Sequence, residues 1–377
     1  MTPLDAVTAA DPYPYYAGLV AERPFAFDPG LGLWVAAGAA AVTEVLRDPR
    51  LRVRPPAQPV PPGITGTPAG EVFGALVRMN DGAAHARLKE VVAAALATVD
   101  PGHAAELAAD AVAAAGGRPA LDELMFAVPA RVVAALCGLP DKDADEAARL
   151  IADFVVCLRP DADDAALRAA DAAAERLREL MDPAARPADG LLGALTAAAV
   201  RGALVAPAHV TANAVGLLSQ TFDATAGLIG NTLRALAGHD GRPARLEPFV
   251  REVARHDAPV QNTRRFAAEA TDCGGRRVER GDAVLVLLAA ANRDPAVNPD
   301  PHRFAPDRAD PALFTFGVGA HACPGADLAT AITAGAVGAL LDAGFDPAAD
   351  VPRHAAYRPS PNARIPDFAR EVSRTDG

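Results

Sequence analysis

Residues 314–329 read Phe314-Thr315-Phe316-Gly317-Val318-Gly319-Ala320-His321-Ala322-Cys323-Pro324-Gly325-Ala326-Asp327-Leu328-Ala329. Three glycines surround one cysteine, and a helical pattern begins directly after it. Glycine lets the backbone approach a flat ligand closely and adopt positive φ. A thiolate at a helix N-terminus is stabilised by the helix dipole and by free N–H groups, and Pro324 suits the first helical position. That is the environment a thiolate ligand to a metal requires. A tight turn with an incidental thiol is the plain reading of a lone cysteine. The ordered set Phe316, Gly317, Gly319, His321, Cys323 and Gly325 argues instead for a ligand.

Upstream the chain is alanine-rich with helical spacing, and alanine is the best helix former. The pattern predicts helices over 39–47, 85–98, 101–115, 122–137, 141–158, 163–181 and 190–201, with Asp141 and Asp163 as N-caps. Pro207 at a first turn and Gly238 after the last periodic residue predict one long helix over 207–237, followed by another over 246–256. Segments 263–270, 277–279 and 283–289 read as extended, with glycine turns between them. Proline-rich coil covers 292–311, a helix runs from Cys323 to about Ala343, and 357–368 is an extended tail. The proline- and glycine-rich stretch 55–70 reads as a loop. No internal repeat or linker divides the chain. The expected class is mainly α with small β-sheets.

The 377 residues are 51% hydrophobic and carry a net charge of −11. A chain this long and apolar can bury a large core. The acidic balance argues against a nucleic-acid binder and against a polybasic membrane-surface protein. Cys137, Cys157, Cys273 and Cys323 are far apart, which disfavours a disulfide scaffold or a structural zinc site. The N-terminus lacks the pattern of a signal peptide, and apolar stretches are repeatedly cut by Asp, Arg, Gly or Pro, so no membrane segment is expected. The expected location is the cytoplasm.

The segment around Cys323 resembles the haem-binding signature of the cytochrome P450 superfamily, F-G-x-G-x-H-x-C-x-G. The resemblance implies the P450 fold, with haem b between a long central helix and the cysteine loop. It makes Cys323 the axial thiolate and the only protein ligand to iron. His321 would reach a propionate, Phe316 would pack near the thiolate, and Gly317 and Gly325 would complete the loop. Other matches follow the family order. Glu252 and Arg255 resemble the E-x-x-R pair, and at i, i+3 they share a helix face. Arg265 stands on the strand whose arginine meets a propionate. His85 and Lys89 resemble H-x-x-x-R, with lysine keeping charge but losing bidentate geometry. The segment 290–304 resembles the loop leading to the haem segment. Thr330 and Ile332 stand where the family often has Arg and Glu. The resemblance spans nearly the whole chain, implying a single P450 domain over 1–377 with no fused reductase. Electrons would then come from a ferredoxin and a ferredoxin reductase, with O2 and a small organic molecule as substrates.

The long helix departs from the family. Where the pattern is A-G-x-[DE]-T-T, Gln220 and Thr221 replace Ala-Gly, Asp223 keeps the acid, Ala224 replaces the first Thr, and Thr225 matches the second. That Thr normally supports proton delivery. Gln220, Asp223, Ala224 and Gly227 share one helix face at i, i+3, i+4 and i+7. The expectation is that this face meets the haem pocket and that Gln220 and Asp223 supply the proton path. The plainer reading has both satisfying backbone groups at a helix distortion.

The implied activity is hydroxylation of a small molecule, in bacterial secondary metabolism. Loss of the Thr is also compatible with oxidative coupling, forming a C–C or C–N bond. A haem-binding sensor without turnover is the reading from another class. Regions 53–78, 150–164, 261–263 and 360–362 are expected to line the substrate cavity. Arg87, Lys89, Arg303 and Arg308 are the expected basic docking patch for an acidic ferredoxin.

Overall fold

The computed structural model describes residues 1–116, 120–159, 162–186, 189–202, 206–352 and 355–371. Its first nine α-helices are α1 (Tyr13–Glu22), α2 (Ala39–Arg47), α3 (Pro68–Ala75), α4 (Gly82–Leu96), α5 (Pro101–Ala115), α6 (Leu121–Leu136), α7 (Asp141–Val156), α8 (Asp164–Leu180) and α9 (Gly190–Arg201). They are followed by α10 (Pro207–Ala237), α11 (Leu246–His256), α12 (Leu288–Asn292), α13 (Ala326–Asp342) and α14 (Pro347–Asp350). The strands are β1 (Phe25–Asp28), β2 (Leu33–Ala36), β3 (Leu51–Arg52), β4 (Asn262–Ala267), β5 (Thr271–Cys273), β6 (Arg276–Val278), β7 (Ala283–Leu287), β8 (Ala355–Tyr357) and β9 (Pro366–Glu371).

The helix α10 organises the core. Its 31 residues span about 46 Å at 1.5 Å per residue. Leu218, Phe222, Ala226, Ile229 and Leu233 are buried along it, and α3, α6, α11 and α13 pack around it. Both predicted bounds of this helix coincide with the observed ones. Most of the other helices shift by one to three residues at an end, as frayed termini do. Asp163 caps α8 by accepting from the Ala166 amide at 2.8 Å. Asp141 does not cap; it is the first residue of α7, whose N-cap is Pro140. The loop expected over 55–70 is corrected at its end. Thr67 accepts from the Gly70 amide at 3.3 Å and Pro68 opens α3.

The main sheet has the order β1-β2-β7-β4-β3. Only the β2–β7 pair in it is parallel. The sequence reading missed β1 to β3, because short strands with few residues per face carry little periodic signal. In β4, Thr263 and Arg265 lie at i, i+2 and therefore share a face, held in register opposite Val286 and Val284. Two further ribbons, β5–β6 and β8–β9, complete the small β content.

Segment Gly319–Asp342 is long and apolar enough to cross a membrane, with mean hydropathy 1.3. Most of it is α13, which packs on α5 and α11 with Ala334, Ala336 and Val337 buried.

Candidate active site

Between α10 and the cysteine loop lies an apolar cavity of about 320 Å³. The loop side is built first by backbone geometry. Gly317 and Gly319 have φ of 68° and 74°, a region that disfavours any residue with a Cβ. The turn closes through Cys323 N–H to Phe316 O and Gly317 N–H to Phe314 O, both 2.7 Å. Asn292 then clamps the loop from behind. Its Oδ1 accepts from the Phe314 amide at 2.6 Å, and its Nδ2 donates to Thr315 Oγ1 at 2.7 Å.

Behind the loop sits the buried pair Glu252–Arg255. Arg255 donates from Nε and Nη2 to the two Glu252 oxygens at 2.8 and 2.7 Å. Its remaining N–H groups go to the carbonyls of Asn292, Pro301 and Arg303. Glu252 also accepts from the Ala305 amide at 2.8 Å. The pair therefore ties α11 to the coil that leads into the cysteine loop, and neither residue lines this cavity.

Cys137, Cys157 and Cys273 are buried, whereas Cys323 is exposed and lines the cavity. Its depth in the protein pushes the thiol up, while the Gly325 amide and Lys89 pull it down. Phe316, Gly317, His321 and Gly325 line the cavity beside it.

Cations gather at the same end. Arg265 is buried and lines the cavity, and among the described residues its guanidinium bonds only Thr263 Oγ1 and the Arg264 carbonyl. Burial holds it down to about 10. His85 lies against the His321 ring with centroids 4.0 Å apart. Burial, then His321 and Lys89, hold His85 down to about 4. Lys89 donates to the Ala322 carbonyl, and burial lowers its pKa. His321 Nε2 meets Asp81 Oδ1 at 3.2 Å. Burial opposes ionisation of Asp81, but the His321 contact and the Val53 amide hold its carboxyl below the usual range. Sequence reasoning missed Asp81, which precedes α4 and carries no motif.

No Asp or Glu lines this cavity among the described residues. A buried arginine without a carboxylate, with a lysine and two imidazoles near an accessible thiol, fits a flat iron-bearing group with two carboxylates. The residues present thus fit haem: Cys323 for the iron, and Arg265, Lys89, His85 and His321 for the propionates.

The opposite wall is α10, and here the expected face is corrected. Leu217, Gln220, Thr221, Ala224, Thr225 and Leu228 line the cavity, whereas Asp223 and Gly227 do not. Each residue turns a helix by about 100°, so 223 and 227, about 40° apart, both fall off the same edge of the stripe set by 217, 221, 224 and 228. A Cβ on Gly227 would meet Pro259 Cβ at 3.0 Å and the Arg364 carbonyl at 3.1 Å. Gln220 donates to Gly216 O at 3.0 Å rather than meeting Asp223. Thr221 bonds Leu217 O at 2.7 Å and Ser219 bonds Gly216 O at 3.1 Å. The backbone-satisfying role is therefore observed for Gln220. Asp223 keeps a carboxyl raised by burial, which Arg159, Arg78 and Arg358 partly offset.

Of the regions expected to line the cavity, 53–78 contributes Val77 and Arg78, and 261–263 contributes Thr263. Regions 150–164 and 360–362 contribute none among the described residues, and 160–161 lie outside them. The expected docking patch is also reduced. Lys89 turns inward, and Arg308 is spent on the carbonyls of Pro299, Asp300 and Arg303. Arg87 and Arg303 stay exposed.

A cavity with a thiol floor, a cationic end and a long helical wall defines a haem-thiolate oxidoreductase. The comparisons with known proteins agree. The family model described as Cytochrome P450 matches residues 245–343. Cytochrome P450 monooxygenase PikC of Streptomyces venezuelae is 32% identical, over 94% of this chain and 89% of its own length. 6-Deoxyerythronolide B hydroxylase of Saccharopolyspora erythraea is 33% identical, over 58% of this chain and 56% of its own length. The crystal structure of CalO2 superimposes with a TM-score of 0.81 at 26% identity, covering 98% of this chain and 97% of that one. The chain belongs to the cytochrome P450 family and is an oxidoreductase of the monooxygenase type.

Proposed function

We propose that this enzyme hydroxylates a small organic molecule of bacterial secondary metabolism, using O2 and electrons from a ferredoxin and its reductase, in a single haem b domain. The observation that carries the reading is the Cys323 thiol opening into an apolar cavity whose charged lining groups, among the described residues, are all cationic or imidazole side chains. Haem held by Cys323 would supply reductive O2 activation, favoured by an electron-rich thiolate ligand. The names of PikC and of 6-deoxyerythronolide B hydroxylase, a monooxygenase and a hydroxylase, support this choice of reaction.

The chain's own residues would divide the work as follows. Arg265, Lys89, His85 and His321 bind and orient the propionates. Ala224 places a methyl group where the family pattern has a hydroxyl. Thr221 spends its hydroxyl on Leu217 O, whereas Thr225, a buried residue that lines the cavity, makes no such bond among the described residues. Thr225 Oγ is thus the α10 hydroxyl free to pass a proton. Asp223, with its carboxyl raised by burial, is the group able to take up and release that proton from behind the wall, and the Gln220 amide lines the route.

The test is a reduced CO-difference spectrum followed by product mass. A thiolate-type Soret band and a gain of one oxygen are expected. Absence of the band overturns the haem-thiolate reading. Ala224 in place of Thr favours one second reading, oxidative coupling, which predicts loss of two hydrogens without added oxygen.

A further inference from the structure

We propose that Arg78 recognises a carboxylate on the substrate, so that this enzyme takes an apolar carboxylic acid; the inference rests on the oxidase reading above and names its substrate class. Arg78 stands in the short 3₁₀ turn Val77–Met79 and lines the same cavity as Cys323. It is separate from the cations at the propionate end. The charges that act on His85 are His321, Lys89, Asp81 and Arg265, whereas the only charged group acting on Arg78 is Asp223, on the α10 wall.

Its guanidinium has no partner. No hydrogen bond or ion pair to Arg78 is found among the described residues, and its Nε is buried and unsatisfied. Three other arginines also have a buried, unsatisfied Nε, namely Arg54, Arg308 and Arg358. Each of those spends another nitrogen: Arg54 on Gln58 O, Arg308 on three carbonyls, and Arg358 on Asp122. Arg78 alone of the four spends none. The residue as a whole is half-buried; desolvation of its unpaired cation is costly and lowers its pKa.

The turn that carries it is held in place. Asn213 of α10 accepts from the Val77 amide at 2.8 Å and donates to Ala75 O at 3.0 Å. Asn80 donates to Gly74 O and Leu76 O at 2.9 and 2.8 Å. The turn lies so close to α10 that a Cβ on Gly216 would meet Leu76 Cδ2 at 2.7 Å. The turn that carries the arginine is thus anchored to α10 at the edge of the cavity.

A planar guanidinium pairs best with a carboxylate, two N–H groups to two oxygens. Among the described residues no acid lines the cavity to compete for it; apolar Val77, Leu217 and Leu228 line the same cavity, and the polar side chains of Asn213 and Thr221 that also line it are spent on backbone groups. The ligand that complements these features has an apolar body and one carboxylate.

The test titrates the haem-loaded full chain with dodecanoic acid, 4-phenylbutanoic acid and their methyl esters, following the spin-state shift and, in parallel, binding heat. The acids should bind about 10–100-fold tighter than the esters, the range for a hydrogen bond to a charged group. Arg78→Gln should remove that preference, and Arg78→Lys should keep part of it. Reduced CO spectra of all three proteins report folding and ligation independently. A missing thiolate-type band in the wild type sinks the oxidase reading itself. With the band present, the carboxylate proposal is overturned by equal affinity for acid and ester, by binding of neither, or by a preference that survives Arg78→Gln. Slower turnover in Arg78→Gln with an unchanged acid preference would assign Arg78 to Asp223 instead, and would likewise overturn it.

Discussion

The loop that carries Cys323 and the stretch of α10 that faces it across the cavity hold their polar groups in opposite ways. On the loop side almost every polar group has a partner that reaches another element. Asn292 binds the loop backbone twice, and Arg255 satisfies Glu252 and three carbonyls. On the α10 side, Gln220, Thr221 and Ser219 bond back to their own helix, while Arg78 bonds nothing among the described residues. A side chain that reaches another element fixes the position of both. One that bonds back to its own helix leaves its tip free to be replaced. The loop side is therefore built to fix ligand geometry, and the helix side leaves side-chain tips able to adjust to what enters the cavity.

This contrast can be broken at several points. Cys323→Ser should remove the thiolate-type Soret band and turnover entirely, because the single axial thiolate is lost; a retained band in the reduced CO spectrum would refute the assignment. Glu252→Gln leaves the buried Arg255 without its counter-charge and should cost about 3–5 kcal/mol. Denaturant melts would show this, along with loss of haem, and an unchanged midpoint would mean that the network does not hold the loop.

A pH series tests the same framework. His256 is held down to about 4 by burial and by Arg293. The unfolded chain takes up that proton near the ordinary value of 6.5, so between 6.5 and 4 the unfolded state binds more protons. Stability should therefore fall as pH drops through that window and level off below it. At 1.36 kcal/mol per unit the loss is at most about 3 kcal/mol. His256→Gln should flatten the curve, and a slope unchanged in that variant would place the titration elsewhere.

The helix wall should respond in rate rather than in stability. Asp223→Asn should slow turnover by about 10²-fold, the low end for a positioned proton donor, with the melting curve little changed. Gln220→Ala should do less, raising the share of reductant consumed without product. If both variants keep wild-type turnover and coupling, the proton route does not pass through α10.

How far each side could be read from the chain follows from the same difference. The cysteine loop is contiguous. Residues 314–325 hold the turn glycines, the ligand and the helix start within a dozen positions, so local backbone chemistry alone identifies them. The bounds of α10 were legible for the same reason, with Pro207 and Gly238 as punctuation. The face that α10 presents was not legible. Asp223 and Gly227 share a spacing with Gln220 and Ala224, yet rotation of the helix against Pro259 and Arg364 turns them out of the cavity. Asp81 and Arg78 carry no motif. An arginine among the apolar residues 72–79 was the available signal, and it gains meaning only once Asn213 pins that turn to α10.

The sequence by itself determined the family and the long helix, and picked out Cys323 and the basic residues proposed for the propionates, because each is written in short-range spacing or ordered motif residues. Only the tertiary structure decided which stripe of α10 meets the cavity, which basic residues are already spent, and that the Arg78 guanidinium has no partner among the described residues. Those facts depend on how elements more than a hundred residues apart rotate and close on one another, and a helical repeat is compatible with any rotation until packing selects one.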